Sequence, residues 1–212
     1  VHDASYLHRI DTLEAVWASW AEVGGGLGTE QWSSPTRCPG WDVAALFAHV
    51  GVFPGAIVDP PPAPVGGNEP TVTAVDILRG FNVPGGVAHG MAEQVAEAAV
   101  SIAARLGPQA LVAAFAENGP RAIDALRRRE PASPVPWPAT GRMTTWAEAL
   151  RIVLLESVVH LLDVLHSLDR RPCVPASGLR EAAHLLAEIA EPISFIEAAT
   201  GRSVRSPLPV VR

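Results

Sequence analysis

Apolar positions recur at the helical period along most of the chain. Between residues 4 and 22, Leu7, Ile10, Leu13, Val16, Trp17 and Trp20 fall on one side of a helical wheel, and the glycine-rich Gly24–Gly28 ends the run. The segment WSSPTRCPGWDV carries too many breakers for a helix or a strand, and Asp42 near its end is placed to cap a second helix over 42–57. DPPPAPVGGNEP reads as a loop. A short helix is predicted over 73–82, a long one over 86–106 and further helical pieces over 108–128. A second Pro-rich loop, PASPVPWPATGR, leads into a helix over 143–168, and a last helix covers 178–200 and stops at Gly201. No stretch alternates with period two, and no internal repeat is present. The chain is therefore predicted to be all-α, an antiparallel up-down bundle without a functional sheet.

One helix departs from the simple two-faced pattern. The run WAEALRIVLLESVVHLLDVLHS, 146–167, is apolar nearly all round except for a narrow stripe. Glu156, His160 and Asp163 stack there at i, i+4 and i+7. Two readings compete. The stripe, extended by Ser167, suits a helix that shows water one narrow face. Alternatively, acids beside a histidine in apolar surroundings call for a cation, and a carboxylate and an imidazole one turn apart can grip one metal ion from the same side. Surface stripes usually carry Arg or Lys, and this one has neither. His49, in the helical stretch VAALFAHVGVF, is a third candidate, although a single histidine among apolar residues is more often a satisfied core residue than a ligand.

Composition narrows the classes. The 212 residues, 48% hydrophobic and 18% charged, are enough for a single domain with a substantial core, taken as residues 1–212. All 16 basic residues are arginine and the net charge is −6, which argues against a phosphate-binding surface and so against nucleic acid. No uninterrupted apolar run has the ~18–20 residues of a membrane span. VHDASYLHRIDTLEAV lacks the pattern of a signal peptide. Two cysteines, Cys38 and Cys173, make no disulfide framework, so a reducing cytoplasm is expected.

The segment Thr36-Arg37-Cys38-Pro39-Gly40-Trp41-Asp42-Val43, followed by Leu46 and Ala48-His49-Val50, resembles a hallmark of the mycothiol-dependent maleylpyruvate isomerase-like proteins, within the DinB-like four-helix superfamily. Glu156-Ser157-Val158-Val159-His160-Leu161-Leu162-Asp163 resembles their second hallmark, and AAHLLAEIAEPISFIEAATGRSV their closing helix. The likeness is weak from about 59 to 140. It implies a DinB-like antiparallel four-helix bundle with an extra C-terminal helix. It also implies a divalent metal, zinc first, held by His49, Glu156 and His160, and mycothiol as co-substrate. Two imidazoles and one carboxylate are a donor set found at catalytic zinc. Asp163 matches a recurrent family position and is expected to hydrogen-bond a ligand imidazole, to help bind the substrate, or to be a plain surface aspartate.

The activity implied is attack of a metal-activated thiol on a small electrophile, as a thiol transferase or thiol-dependent isomerase. Alternatives are a metal-dependent hydrolase and a non-catalytic ligand-binding bundle. The partners expected are the electrophile and the thiol, with neither nucleic acid nor membrane, in a monomer or homodimer. The named isomerase has a further C-terminal domain, whereas only SPLPVVR follows the closing helix here, so transfer to another electrophile is expected over maleylpyruvate isomerisation. Cys38 is expected to be structural within its turn, Cys173 a loop residue, His166 packed on the apolar side, and Trp41 a staple before the Asp42 cap. Trp137 and Trp146 suit the core or a pocket mouth, and His89 can reach a pocket. A sugar-containing thiol calls for polar neighbours, for which Asn82, Gln94 and Arg142 are the candidates.

Overall fold

The computed structural model describes residues 4–62, 72–82, 87–137, 141–202 and 208–210, with the side chains of 82, 87–89 and 92 outside this description. Helix α1 (Ala4–Gly25) buries Ile10, Leu13, Val16, Trp17 and Trp20 of the expected stripe, while Leu7 is exposed and Tyr6 is buried in the first turns instead. A 3-10 turn (Thr29–Ser33) leads to α2 (Val43–Val50), which Asp42 caps by accepting the Ala45 N–H at 2.8 Å. Helix α3 (Val52–Val58) follows directly, so the helix expected over 42–57 is two pieces meeting at Gly51. Next come α4 (Ala74–Asn82) and α5 (Val87–Ala116). Gly107 breaks α5 with φ 73, a conformation that glycine adopts freely, and Pro108 starts the next turn. This matches the boundary expected between 106 and 108.

Helix α6 (Asn118–Arg127) is separate from the end of α5, and the two are the helical pieces expected over 108–128. Strands β1 (Pro134–Trp137) and β2 (Arg142–Thr145) then form an antiparallel pair with Val135 opposite Thr144. This hairpin corrects the expectation of plain loop, and β2 takes the first residues assigned to the helix over 143–168. Four residues per strand are too few to show an alternation, and two of those in β1 are prolines that donate no ladder hydrogen bond. Helix α7 (Trp146–Ser167) starts where the Thr145 side chain accepts the Glu148 N–H at 3.3 Å. Helix α8 (Ala176–Ile189) and the short α9 (Pro192–Ala199) close the chain, so the helix expected over 178–200 also divides, before Pro192.

Helices α1, α2, α5 and α7 pack around one core, with α8 added against α7 and α1. The all-α bundle stands as expected. By length and mean hydropathy Glu93–Arg127 reaches the range of a membrane span, but Gly107 interrupts it, and α5 packs against α1 and α2. Two tryptophans tie α1 to α7. Trp17 Nε1 donates to Ser157 Oγ at 3.1 Å, and Trp20 Nε1 donates to the Ser157 carbonyl at 2.9 Å. Ser157 is thus a buried polar residue with its hydroxyl satisfied. Its anchoring turns the next residue back, Glu156, away from the tryptophans.

Tyr6 gives the fold a measurable alkaline limit. It is the only tyrosine in the chain, it is buried, and its hydroxyl donates to the Leu126 carbonyl at 3.3 Å. Burial pushes its phenol up to about 12, with nearby Arg129 pulling the other way. The unfolded phenol titrates near ~10. The stability that depends on keeping Tyr6 neutral is therefore complete below that value and is lost as pH rises toward about 12. Tyrosinate absorbance is expected to appear late, together with unfolding, and Tyr6→Phe is expected to move the alkaline transition upward. A free, reversible titration at the unfolded value would contradict this burial.

Candidate metal centre

The centre lies where α2 packs on α7. The Pro-rich segment ahead of α2 is an ordered turn. Thr36 N–H and its hydroxyl both donate to the Trp41 carbonyl, at 3.0 and 2.9 Å, and Trp41 N–H donates to the Cys38 carbonyl at 3.0 Å. Pro39-Gly40 occupies the middle of this turn with Gly40 at φ 82, the Pro-Gly arrangement that a type II turn demands. The turn delivers three side chains to α7. Arg37 and Cys38 reach Asp163, and the Trp41 ring lies 4.8 Å from His49 and 6.0 Å from His160, centroid to centroid.

His49, Glu156 and His160 are brought together. Glu156 Oε2 lies 3.4 Å from His49 Nε2 and 3.3 Å from His160 Nε2, and the three donor atoms all lie within 4.8 Å of one another. Donors bonded to one tetrahedral zinc at about 2.0–2.1 Å stand about 3.4 Å apart, so this spacing fits the ion. The three side chains are 21%, 28% and 16% exposed, which leaves one side of the cluster open. Asp163 is buried behind it. Its Oδ2 accepts from His160 Nδ1 at 3.0 Å and faces Cys38 Sγ at 3.5 Å, while Oδ1 accepts from Arg37 Nη2 at 2.6 Å and Nε at 3.0 Å. That bond assigns the proton of a neutral His160 to Nδ1 and leaves Nε2 for the cluster.

Charge follows the geometry. Burial pushes the Glu156 carboxyl up, but hydrogen bonds from His160 and His49 outweigh it and hold the group well below the usual carboxylate range. Burial pushes His160 down, and its hydrogen bonds with Asp163, Cys38 and Glu156 reverse this and raise it well above the usual imidazole value. Burial likewise raises Asp163, and His160 and Arg37 bring it down. A fixed negative charge thus sits between two imidazoles.

Cys38, His160 and Asp163 form a second donor group within the same 4.8 Å limit. The Arg37 guanidinium already neutralises Asp163 there, so a cation gains less on this side of His160 than beside Glu156. Cys38 serves as a hydrogen-bonded part of the turn. Cys173 lies exposed in a loop, as expected. His166 is a correction: it is exposed in the last turn of α7, not packed on an apolar side. The side chains of His89 and Asn82 lie outside the described residues.

On the open side of the cluster is a cavity of about 350 Å³. His49 and Glu156 are at one end, and Phe53, Ile77, Phe81, Trp137, Trp146 and Val153 are among its walls. Trp137 and Trp146 therefore line a pocket, one of the two places open to them. Gln94 and Arg142 are exposed and are not among its lining residues, so neither supplies the polar surroundings expected for a sugar-containing ligand at this wall. Arg37, Trp41 and Phe53 were not singled out as site residues from sequence. The turn signature around Gly40 pointed to the first two, but only as local structure.

Fold and site together define a helical bundle of the DinB-like class carrying two histidines and a glutamate in metal-ligand geometry. The family model of the mycothiol maleylpyruvate isomerase N-terminal domain matches residues 13–165, and the chain belongs to that family. Membership supports thiol-dependent isomerase or transferase chemistry in general. No curated protein and no solved structure matches the chain.

Proposed function

We propose that the protein is a metal-dependent enzyme that brings a low-molecular-weight thiol, mycothiol, to a small electrophile. The observation that carries this reading is the convergence of His49 Nε2, Glu156 Oε2 and His160 Nε2 at one end of a cavity, in a family named for mycothiol. These three residues would hold a divalent cation, zinc by its donor preference. When bound, that ion would supply a positive charge that keeps a thiol sulfur deprotonated at neutral pH. The chain's own residues do the rest. Asp163 fixes the His160 ring through Nδ1, and Arg37 holds Asp163 in place. Trp41 packs against both imidazoles and limits water on that side. The cavity walls orient the electrophile beside Glu156 and His49.

The test is titration of mycothiol into metal-free and zinc-loaded protein, in two buffers of different ionisation enthalpy. Tighter binding to the zinc-loaded form, with release of a proton, is expected because sulfur coordinates as thiolate. Equal weak affinity for both forms and no proton release would overturn the thiol reading in favour of a hydrolase or a binding bundle.

A further inference from the structure

The cavity beside the cluster carries a second message, about what the electrophile is. Among the described residues its only ionisable lining side chains are His49 and Glu156, both already in the candidate metal centre. The chain has no lysine, so arginine is its only fixed cation. No arginine among the described residues lines the cavity. Two arginines beside wall residues are engaged elsewhere, and Arg142, opposite Trp137 in the hairpin, is exposed. Arg129 lies over the Trp146 ring with its guanidinium carbon 4.1 Å from the centroid and donates to the Ile57 carbonyl at 2.8 Å. Arg151 pairs with Glu148 and Glu188 at 3.2 and 2.7 Å. By sequence, segments 63–71, 83–86 and 138–140 contain no Arg or Lys, and the arginines outside the described residues are Arg205 and Arg212 near the C-terminal end of the sequence.

An anionic substrate would be poorly served here. A divalent cation held by one carboxylate and two neutral imidazoles leaves a single net positive charge. That charge can balance one substrate carboxylate placed at the metal. A second carboxylate would stand among Phe, Ile, Val and Trp side chains without a partner, and an unpaired buried charge is strongly disfavoured. Maleylpyruvate, the substrate in the family's description, carries two carboxylates. The size points the same way. A cavity of about 350 Å³ is more than twice the ~150 Å³ that holds a benzene molecule, which leaves room for one or two rings.

We infer that the cavity takes a neutral, apolar electrophile of one or two rings or comparable branched bulk, and not a dicarboxylate. Calling this ligand the substrate rests on the thiol-dependent reading above; the affinity of the cavity for it does not. The polar part of the thiol must then lie outside these walls, on the open side of the cluster.

A matched pair of probes tests this. 2-Naphthol is neutral and naphthalene-2,6-dicarboxylate has the same rings with two charges. In calorimetric titrations, 2-naphthol is expected to bind at least about tenfold more tightly than the diacid, to zinc-free and zinc-loaded protein alike. Ala56 and Val52 line the cavity at exposed positions, so substitutions there spare the core. Ala56→Trp, which fills space, is expected to weaken 2-naphthol about tenfold. Val52→Arg, which supplies the missing cation, is expected to strengthen the diacid by a similar factor. Ala149→Leu fills the cavity from α7 and serves as a second filling variant. Diacid binding as tight as that of 2-naphthol to the unmodified protein would overturn the inference. So would 2-naphthol affinity unchanged in both filling variants. Retained 2-naphthol binding in a protein that ignores mycothiol would support the cavity assignment and sink the thiol reading instead.

Discussion

Replacing His49, Glu156 or His160 by alanine is expected to weaken zinc binding by roughly 100–1,000-fold in each case, while the bundle stays folded. Structural zinc sites bind with about 10–16 kcal/mol spread over four ligands, or ~2.5–4 kcal/mol for each. Each residue here offers one donor atom to the same point, with Glu156 Oε2 3.3–3.4 Å from the two imidazole nitrogens. Removing Glu156 also removes the negative charge that offsets the ion. Folding should survive because these side chains sit on the open side of the contact between α2 and α7, away from Ser157, Val158 and Leu161 in the core. Asp163→Asn is expected to do less, about 10–100-fold, since of the three ligand residues it touches only His160, at the nitrogen far from the cluster. Calorimetric zinc titration of the four variants measures all of this, with circular dichroism as the check on folding. Undiminished affinity in all three ligand variants would remove the metal centre from the account.

Trp20→Ala is expected to cost about 3–5 kcal/mol, the largest effect on stability foreseen for a single core residue here. A domain has only about 5–15 kcal/mol to lose. Trp20 is fully buried and sits at the meeting point of four elements. Its ring stacks on Phe115 of α5 at 5.0 Å, meets Phe47 of α2 edge-on at 4.7 Å, and donates to the Ser157 carbonyl of α7 at 2.9 Å. Alanine would leave a cavity that three helices border, and none can close it without pulling away from another. Urea unfolding should show the midpoint fall with little change in slope. An unchanged midpoint would mean that the helices around Trp20 are not packed as described. Because α2 and α7 also carry His49 and Glu156, the same experiment reports how firmly the core holds the centre together.

Much of the centre was legible because its signal is local. Glu156, His160 and Asp163 lie on one helix, where the 3.6-residue period alone puts them on one face. Asp42 announced the start of α2, and the same helix carries His49 in its last turn. That His49 belongs with the other two was implied by the family resemblance, since nothing in the spacing relates residue 49 to residue 156. The breaks at Gly51 and Ala190 are not legible because the apolar period continues through them. The hairpin at 134–145 was missed because its strands are shorter than any readable alternation.

The sequence by itself determined the helical class, the main elements and the chemistry of the donor set, since all of these follow from period, caps and residue type. Only the tertiary structure decided three matters, each of which depends on residues distant in the chain. Arg37 and Cys38 meet Asp163 across more than 120 positions because the turn at Pro39-Gly40 folds back onto α7. Trp17 and Trp20 grip Ser157 and so aim the neighbouring Glu156 toward α2. The cavity is walled by α3, α4, the hairpin and α7, whose apolar residues read singly as ordinary core. A pocket is space that side chains leave unfilled, and no local pattern of residues encodes where packing stops.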